Sequence, residues 1–318
     1  MKMIGWLLTS LAFCMSASAQ VTDKTIRILS PYATGGGVDV VGRPLAAAWS
    51  KKTGSSIFFE NRGGAQGTIA MRFVAGAPPD GSTLIIVTTA QVAINPHLIR
   101  QLPYDVERDF TPIALIGTSP FMLLVNADVP AKTAAEFVSL ARQNNGKFSY
   151  ASTGVGSGPH LSMELLKSIA NIDLMHVPYK GGSEAFADLI GGRVQAMFAT
   201  PGSTMGMIQG GKLRPVAVAS PRRLTVLPNV PTFSEAGMPD LQSYVWYALL
   251  GPKSMPPATV KQIYDTVAEL LKTPALDAQY RAAGVEPGDM DPAALGAFIR
   301  SESAKWNTVI KSVGVQPE

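Results

Sequence analysis

Cysteine is almost absent. The 318 residues hold one, Cys14, and it falls inside an N-terminal segment laid out like an export signal. Met1-Lys2 supplies positive charge, Met3 to Phe13 is apolar, and Ala17-Ser18-Ala19 is a small-x-small cleavage pattern. Phe13 is too bulky for a lipoprotein site before Cys14. A mature chain starting at Gln20 or Val21 would have no cysteine, hence no disulfide, thiol nucleophile or thiolate metal site. A large exported chain without disulfides points to the bacterial periplasm. The N-terminal apolar run is short for a membrane anchor, and no later segment approaches the roughly 20 residues of a span.

Histidine is nearly as scarce. His97, His160 and His176 are the only three, and none are paired at i, i+4, so neither a metal nor a cofactor is expected. Gly-x-Ser-x-Gly is missing, which removes the signature of an α/β-hydrolase elbow. Ser157 and His160 lie close, but no acid is placed to orient the imidazole. Gly-x-Gly-x-x-Gly is missing too. Gly37 and Gly42 have P-loop spacing, but Arg43-Pro44 stand where Lys-Ser/Thr would contact phosphate and Mg²⁺. The net charge of +4 falls to +3 without Lys2, and the basic residues are scattered, so nucleic acid is not an expected partner.

What the chain does have is a recurring junction. Ile26–Ser30 reads as a buried strand that runs into Gly35-Gly36-Gly37, and a helix over Val38–Lys52 follows directly. Backbone N–H groups without side-chain cover, at a helix N-terminus, can hold an anion without a cationic side chain. Further strands are expected at Ser56–Glu60 and Thr83–Thr88, with a helix at Thr68–Ala77. A second series begins near Phe121. It has strands at Phe121–Asn126, Lys147–Ala151, Asp173–Val177, Val194–Ala199 and Leu213–Ala219, with helices between. Its loop Ser152–Pro159 repeats the Gly-rich junction, and Thr200-Pro201-Gly202-Ser203 opens another helix. Helices at Pro257–Lys272 and Pro292–Ser312 close the chain. Alternating strands and helices predict doubly wound α/β sheets, and about 300 mature residues suit two lobes. The loops then converge on one cleft at the carboxyl ends of the strands.

Neutral groups dominate those strand ends: Thr34, Thr88, Thr89, Gln91, Ser152, Thr153, Ser157 and Thr200. Hydroxyls, amides and backbone N–H groups suit a carboxylate that is bound and then released. Asp39 reads either as a ligand acceptor or as a structural cap of the first helical turn, bonding the glycine-loop N–H groups. The cap is favoured, because a carboxylate beside a bound anion repels it.

Five spaced motifs carry a family resemblance: Ile28–Asp39, Glu60–Ala65, Ala77-Pro78-Pro79-Asp80-Gly81, His176–Gly182 and Pro228–Thr232. In order along the whole mature chain, they resemble the extracytoplasmic receptors of the tripartite tricarboxylate transporter family, also called Bug receptors. The resemblance implies a two-lobed, periplasmic-binding-protein-like (Venus flytrap) α/β fold, each lobe a doubly wound sheet with flanking helices. It places a signal peptide at 1–19, the first lobe at 20–122 and 221–318, and the second at 123–220. Crossings would fall near Phe121–Pro130 and Leu213–Arg222. First-lobe ligand contacts would be Tyr32, Ala33, Thr34, Gly35, Gly36, Thr88, Thr89 and Gln91. Second-lobe contacts would be Ser152, Thr153, Gly154, Val155, His160 and Thr200. There are departures. Thr34 replaces the usual Pro, Ala248 a more usual Gly, and Ala199 an Asp frequent in members that bind amino acids. The last makes a dicarboxylate or aromatic carboxylate the better ligand. Trp246 matches the family's aromatic position. The implied protein is a non-catalytic, monomeric receptor for a small carboxylated solute, serving transporter membrane subunits or a sensor. A secreted α/β hydrolase or esterase is the alternative.

Overall fold

The computed structural model describes residues 25–144, 146–312 and 314–316, so the export-signal reading at 1–19 lies outside the described residues. Strand and helix alternate from the start: β1 (Ile26–Ser30), α1 (Gly37–Thr53), β2 (Ile57–Asn61), α2 (Thr68–Ala75) and β3 (Thr83–Thr88). A buried π turn, Ala90–Ile94, leads to α3 (Asn95–Leu98), α4 (Val106–Asp109) and the long β4 (Phe110–Pro120). The second series is β5 (Met122–Asn126), α5 (Ala134–Gln143), β6 (Ser149–Ser152), α6 (Gly158–Ala170), β7 (Met175–Pro178), α7 (Gly182–Ile190), β8 (Ala196–Ala199), α8 (Pro201–Gln209) and β9 (Leu213–Val218). The chain returns with β10 (Tyr244–Pro252), α9 (Pro257–Leu271), α10 (Pro274–Ala282), β11 (Glu286–Pro287) and α11 (Pro292–Ser312).

These strands form two sheets, ordered β11-β4-β10-β3-β1-β2 and β7-β6-β8-β5-β9. Both are mixed, and a single principle explains why. Apart from the two-residue β11, which runs antiparallel to β4, strands native to a lobe end at the cleft, whereas a strand arriving from the other lobe begins there. So β10 runs antiparallel to β3 and β4, and β5 runs antiparallel to β8 and β9. β4 passes into β5 through the single residue Phe121. The return crossing is later than Leu213–Arg222. Val218 bridges Thr232, and Phe233 stacks on Phe198 at 5.8 Å, which holds the chain against the second sheet as far as Phe233, and the crossing follows at Ser243. At the crossing three peptide groups close a ring: Phe121 N–H donates to Ser243 O (3.0 Å), Ser243 N–H to Ala219 O (3.0 Å), and Ala219 N–H to Phe121 O (2.8 Å).

The first sheet is covered on both faces, so each central strand splits its side chains between two cores. On β10, Trp246, Ala248 and Leu250 join one cluster with Leu29, Met71 and Val87. Val245, Tyr247 and Leu249 join the other with Ile28, Val41 and Leu45. The two-residue period of a strand enforces the split. Helix α1 lays Val38, Val41, Leu45 and Trp49 on that second face at helical spacing, and ends at Gly54 in the left-handed region (φ 72°).

Candidate functional site

The two sheets point the starts of four helices at a common cavity. Its wall includes Gly36 and Gly37 at the start of α1, Gly158 at the start of α6, Gly182 at the start of α7, and Thr200 and Ser203 at the start of α8. The space open to the centre of a water molecule is about 90 Å³. Every lining side chain is uncharged. Apolar faces come from Phe121, Phe186, Met197, Ala199 and Val245. The lobes touch across the mouth, where Ser183 Oγ of α7 donates to Thr34 O at 3.1 Å. Beside it, a Cβ on Gly202 of α8 would lie 2.9 Å from both Val40 Cγ1 and Ala283 O, so α8 packs directly on the first lobe.

The three glycines before α1 have three different reasons to be glycine. Gly35 has φ +89°, which other L-residues rarely adopt, and faces Ser183 Oγ of the opposite lobe. Gly36 is extended (φ −96°, ψ 179°), and a Cβ there would meet nothing within 4 Å. Its side-chain direction is therefore empty space. Gly37 is pressed by the ring end of Tyr247, whose hydroxyl a Cβ would strike.

Asp39 does not cap this helix. No side chain caps α1, and the Asp39 carboxylate is taken by Arg43 Nε (2.7 Å) and Asn61 Nδ2 (3.1 Å), beyond the glycine loop. Asp39 N–H donates to Gly36 O at 3.1 Å, but the N–H groups of Gly37 and Val38 have no intrahelical acceptor and no side-chain cap, and the partial positive charge of this helix start lies at the cavity wall. Helices α7 and α8 likewise start without side-chain caps, at Gly181 and Thr200.

Of the first-lobe residues singled out by sequence, Tyr32, Ala33, Gly36, Thr88 and Thr89 line the cavity. Gln91 does not. It is wholly buried, and both ends of its amide are spent. Oε1 accepts from Thr88 N (3.0 Å) and Thr88 Oγ1 (3.0 Å), while Nε2 donates to Tyr32 Oη (3.0 Å). Tyr32 Oη lies 2.9 Å from Thr88 Oγ1, which closes the network. Gln91 thus fixes two wall residues from behind. Burial raises the Tyr32 phenol above its ordinary pKa, so it remains a neutral hydroxyl. Thr34 and Gly35 sit at the mouth instead of on the wall.

In the second lobe, Thr153 and Thr200 line the cavity; Ser152, Gly154, Val155 and His160 do not. The loop that presents Thr153 is held by two histidines. His160 Nδ1 accepts from Gly156 N at 3.0 Å, and His176 Nε2 lies 2.7 Å from Ser152 Oγ, which also receives Gly154 N–H at 3.1 Å. The imidazoles stack with centroids 4.1 Å apart, and Tyr150 stacks on His176 at 4.9 Å. Burial lowers the pKa of His160 below 6.5. For His176 burial, with the repulsion of His160 and Lys167, lowers it to about 3. Both rings are neutral at neutral pH, and His160 keeps the lone pair that Gly156 requires.

Sequence reasoning missed Gly182, Ser203, Phe121, Phe186, Met197 and Tyr247 as wall residues, and named Gly37 only as part of the anion-holding glycine run. For Tyr247 a signal existed: it alternates with Trp246, whose Nε1 donates to buried Glu302 on the far face at 3.1 Å.

Among the described residues, no helix is long and apolar enough to cross a membrane. A tripartite tricarboxylate transporter family receptor profile matches residues 41–315. A Pseudomonas sp. (strain P51) protein named for the tcbD-tcbE intergenic region is 33% identical over 312 residues, covering 96% of this chain and 93% of its own. An R. palustris protein solved with adipate superposes with a TM-score of 0.91 at 33% identity, covering 94% of this chain and 99% of its own. MatC of Rhodopseudomonas palustris, solved with bound malate, gives 0.84 at 30% identity, covering 90% of this chain and 98% of its own. These similarities agree with the two-lobed fold; the chain belongs to the tripartite tricarboxylate transporter family of receptors, which bind solutes and are not enzymes.

Proposed function

We propose that the protein is a periplasmic receptor, exported by a cleavable signal, that closes its lobes on a small organic carboxylate and passes it to the membrane subunits of a tripartite tricarboxylate transporter. A dicarboxylate fits best. The observation that carries this reading is the convergence of four helix N-termini on a cavity whose lining has no charged side chain. Helices α1, α7 and α8 start without a side-chain cap, Ser157 Oγ caps α6 by accepting from His160 N, and all four starts carry a partial positive charge. Termini from both lobes face the same space, so a ligand with an anionic group at each end engages both. Its middle would rest on Phe121, Phe186 and Met197. An α-amino group would find no counter-charge among the lining side chains. The adipate and malate bound by the two structural neighbours are diacids without such a group, which supports the same choice.

Each charge-assisted hydrogen bond contributes about 1.5–3 kcal/mol, or roughly one to two decades of affinity. Closure follows from contacts made with both lobes at once. The test is a thermal-shift screen of dicarboxylates, aromatic acids and amino acids, followed by calorimetry. A diacid at about 100 times its Kd should add roughly 2.7 kcal/mol of stability. A protein stabilised by no carboxylate would end this reading.

A further inference from the structure

Tyr247 stands four residues after the crossing at Ser243, on the strand that enters the first lobe from the second. It pairs in register with Thr88, at the cavity end of β3. It is 2% exposed, and its hydroxyl interacts with the Thr200 side chain, the N-cap of α8 in the second lobe. The same hydroxyl abuts the first residue of α1. A Cβ on Gly37 would strike it, while lying 3.4 Å from Tyr247 Cζ and 3.5 Å from Thr200 Oγ1. Tyr247 Oη therefore occupies the point where the uncapped starts of α1 and α8 meet. The phenol needs an acceptor, and the two termini favour an anion. Thr200 Oγ1 can accept the proton, but it is neutral and leaves the termini without a negative charge. A carboxylate satisfies both requirements: one oxygen accepts from Tyr247, the other faces N–H donors.

Resting on the carboxylate reading, we propose that Tyr247 contacts the ligand and sets its specificity, its hydroxyl donating to the carboxylate held between α1 and α8. An amide at that end is selected against, because its NH₂ opposes the helix N–H donors. Burial raises the phenol pKa, so Tyr247 is a donor throughout the working range and never a repelling phenolate.

The test is calorimetry of adipate, malate and adipic monoamide on four proteins: wild type, Tyr247→Phe, Gly37→Ala and the double variant. Tyr247→Phe should weaken adipate about tenfold or more, the loss of one charge-assisted hydrogen bond. It should also shrink the preference for adipate over its monoamide. The melting temperature of the ligand-free variant shows that the fold is kept. Gly37→Ala reaches the same hydroxyl by another route. It should weaken binding in the wild type by displacing Oη, yet add little to Tyr247→Phe, since the remaining ring carbon lies at ordinary contact distance. Wild-type affinity in Tyr247→Phe, or an equal cost of Gly37→Ala in both backgrounds, would overturn the assignment. Wild type that binds neither diacid would instead overturn the carboxylate reading, and the Tyr247 assignment with it.

Discussion

The two halves of the cavity wall present the same chemistry and are held in place by different means. In the first lobe, Tyr32 and Thr88 are fixed by the Gln91 amide, a network without a group that titrates near neutrality. In the second, the loop carrying Thr153 is held by the stacked imidazoles of His160 and His176. Binding surfaces that look alike to a ligand can therefore differ in what disturbs them. Acid should loosen one jaw and leave the other standing.

The largest effect is expected where both jaws are blocked together. Gly36→Val places a side chain in open cavity space at a backbone conformation that valine accepts. Binding should fall about a hundredfold or more, the scale of two or more charge-assisted hydrogen bonds, with an unchanged circular dichroism spectrum. Full affinity by calorimetry would show that the cavity is not the site.

Next comes the first-lobe network. Gln91→Leu strands the buried Thr88 N–H and leaves Tyr32 Oη only Thr88 Oγ1 as partner, at a cost of about 1–3 kcal/mol for the N–H alone. Denaturant melts should record that loss with no new pH dependence, and calorimetry a weaker ligand although Gln91 lies behind the wall. A variant as stable as wild type would remove the basis of the comparison. In the second lobe, Thr153→Val deletes one hydroxyl from the wall and should weaken binding about tenfold. An unchanged Kd would mean that Thr153 lines the space without serving it.

The pH effect is smaller and sharpens the contrast most directly. Both histidines have pKa values depressed below the 6.5 of the free side chain. The unfolded chain then takes up protons first. The stabilisation is complete above pH 6.5 and is lost as pH falls toward the lowered values, about 3 for His176. The groups facing the pair are Tyr150 and Ser152 from β6 and Glu164 and Lys167 from α6. Glu164 favours the proton on His160, and Lys167 opposes it on both rings. Melting temperature should fall between pH 6.5 and 5, before most carboxylates titrate, and His176→Phe should flatten that slope. His97, in the first lobe, also has a lowered pKa, so His97→Gln serves as the control. An equal slope in His176→Phe and wild type would place the acid sensitivity elsewhere.

Parts of this design are legible in the sequence. The Gly35-Gly36-Gly37 run between an apolar strand and an amphipathic helix marks the α1 junction, and β3 falls on Thr83–Thr88 as its apolar run indicates. By contrast β4 and β10 left no alternation to read. Both lie inside a sheet covered on two faces, so Phe110–Pro120 and Tyr244–Pro252 are nearly continuous apolar stretches broken by Pro112, Gly117 and Gly251. For the site, residue types at strand ends identified Thr88, Thr89, Thr153 and Thr200 as wall groups, and the family resemblance added Tyr32. They did not say which way a polar side chain turns. Gln91 and His160 face backbone N–H groups of their own lobe because a buried donor must be paired, and composition does not reveal which donors end up buried. Asp39 has the structural place in the first helical turn that its sequence suggested, but Arg43 one turn on and Asn61 on β2, instead of the glycine-loop N–H groups, take its carboxylate.

The closed ring of peptide groups at Phe121, Ala219 and Ser243 bears on the entropy of capture. Fixing one residue's backbone costs about 1–2 kcal/mol, so loose tethers between lobes would oppose every closure. Here the tethers are already bonded to one another at a single point, and few torsions remain to be frozen when the lobes meet. The scaffold is pre-organised for the bound state, and part of the affinity is decided by peptide hydrogen bonds between the tethers rather than by contacts with the ligand.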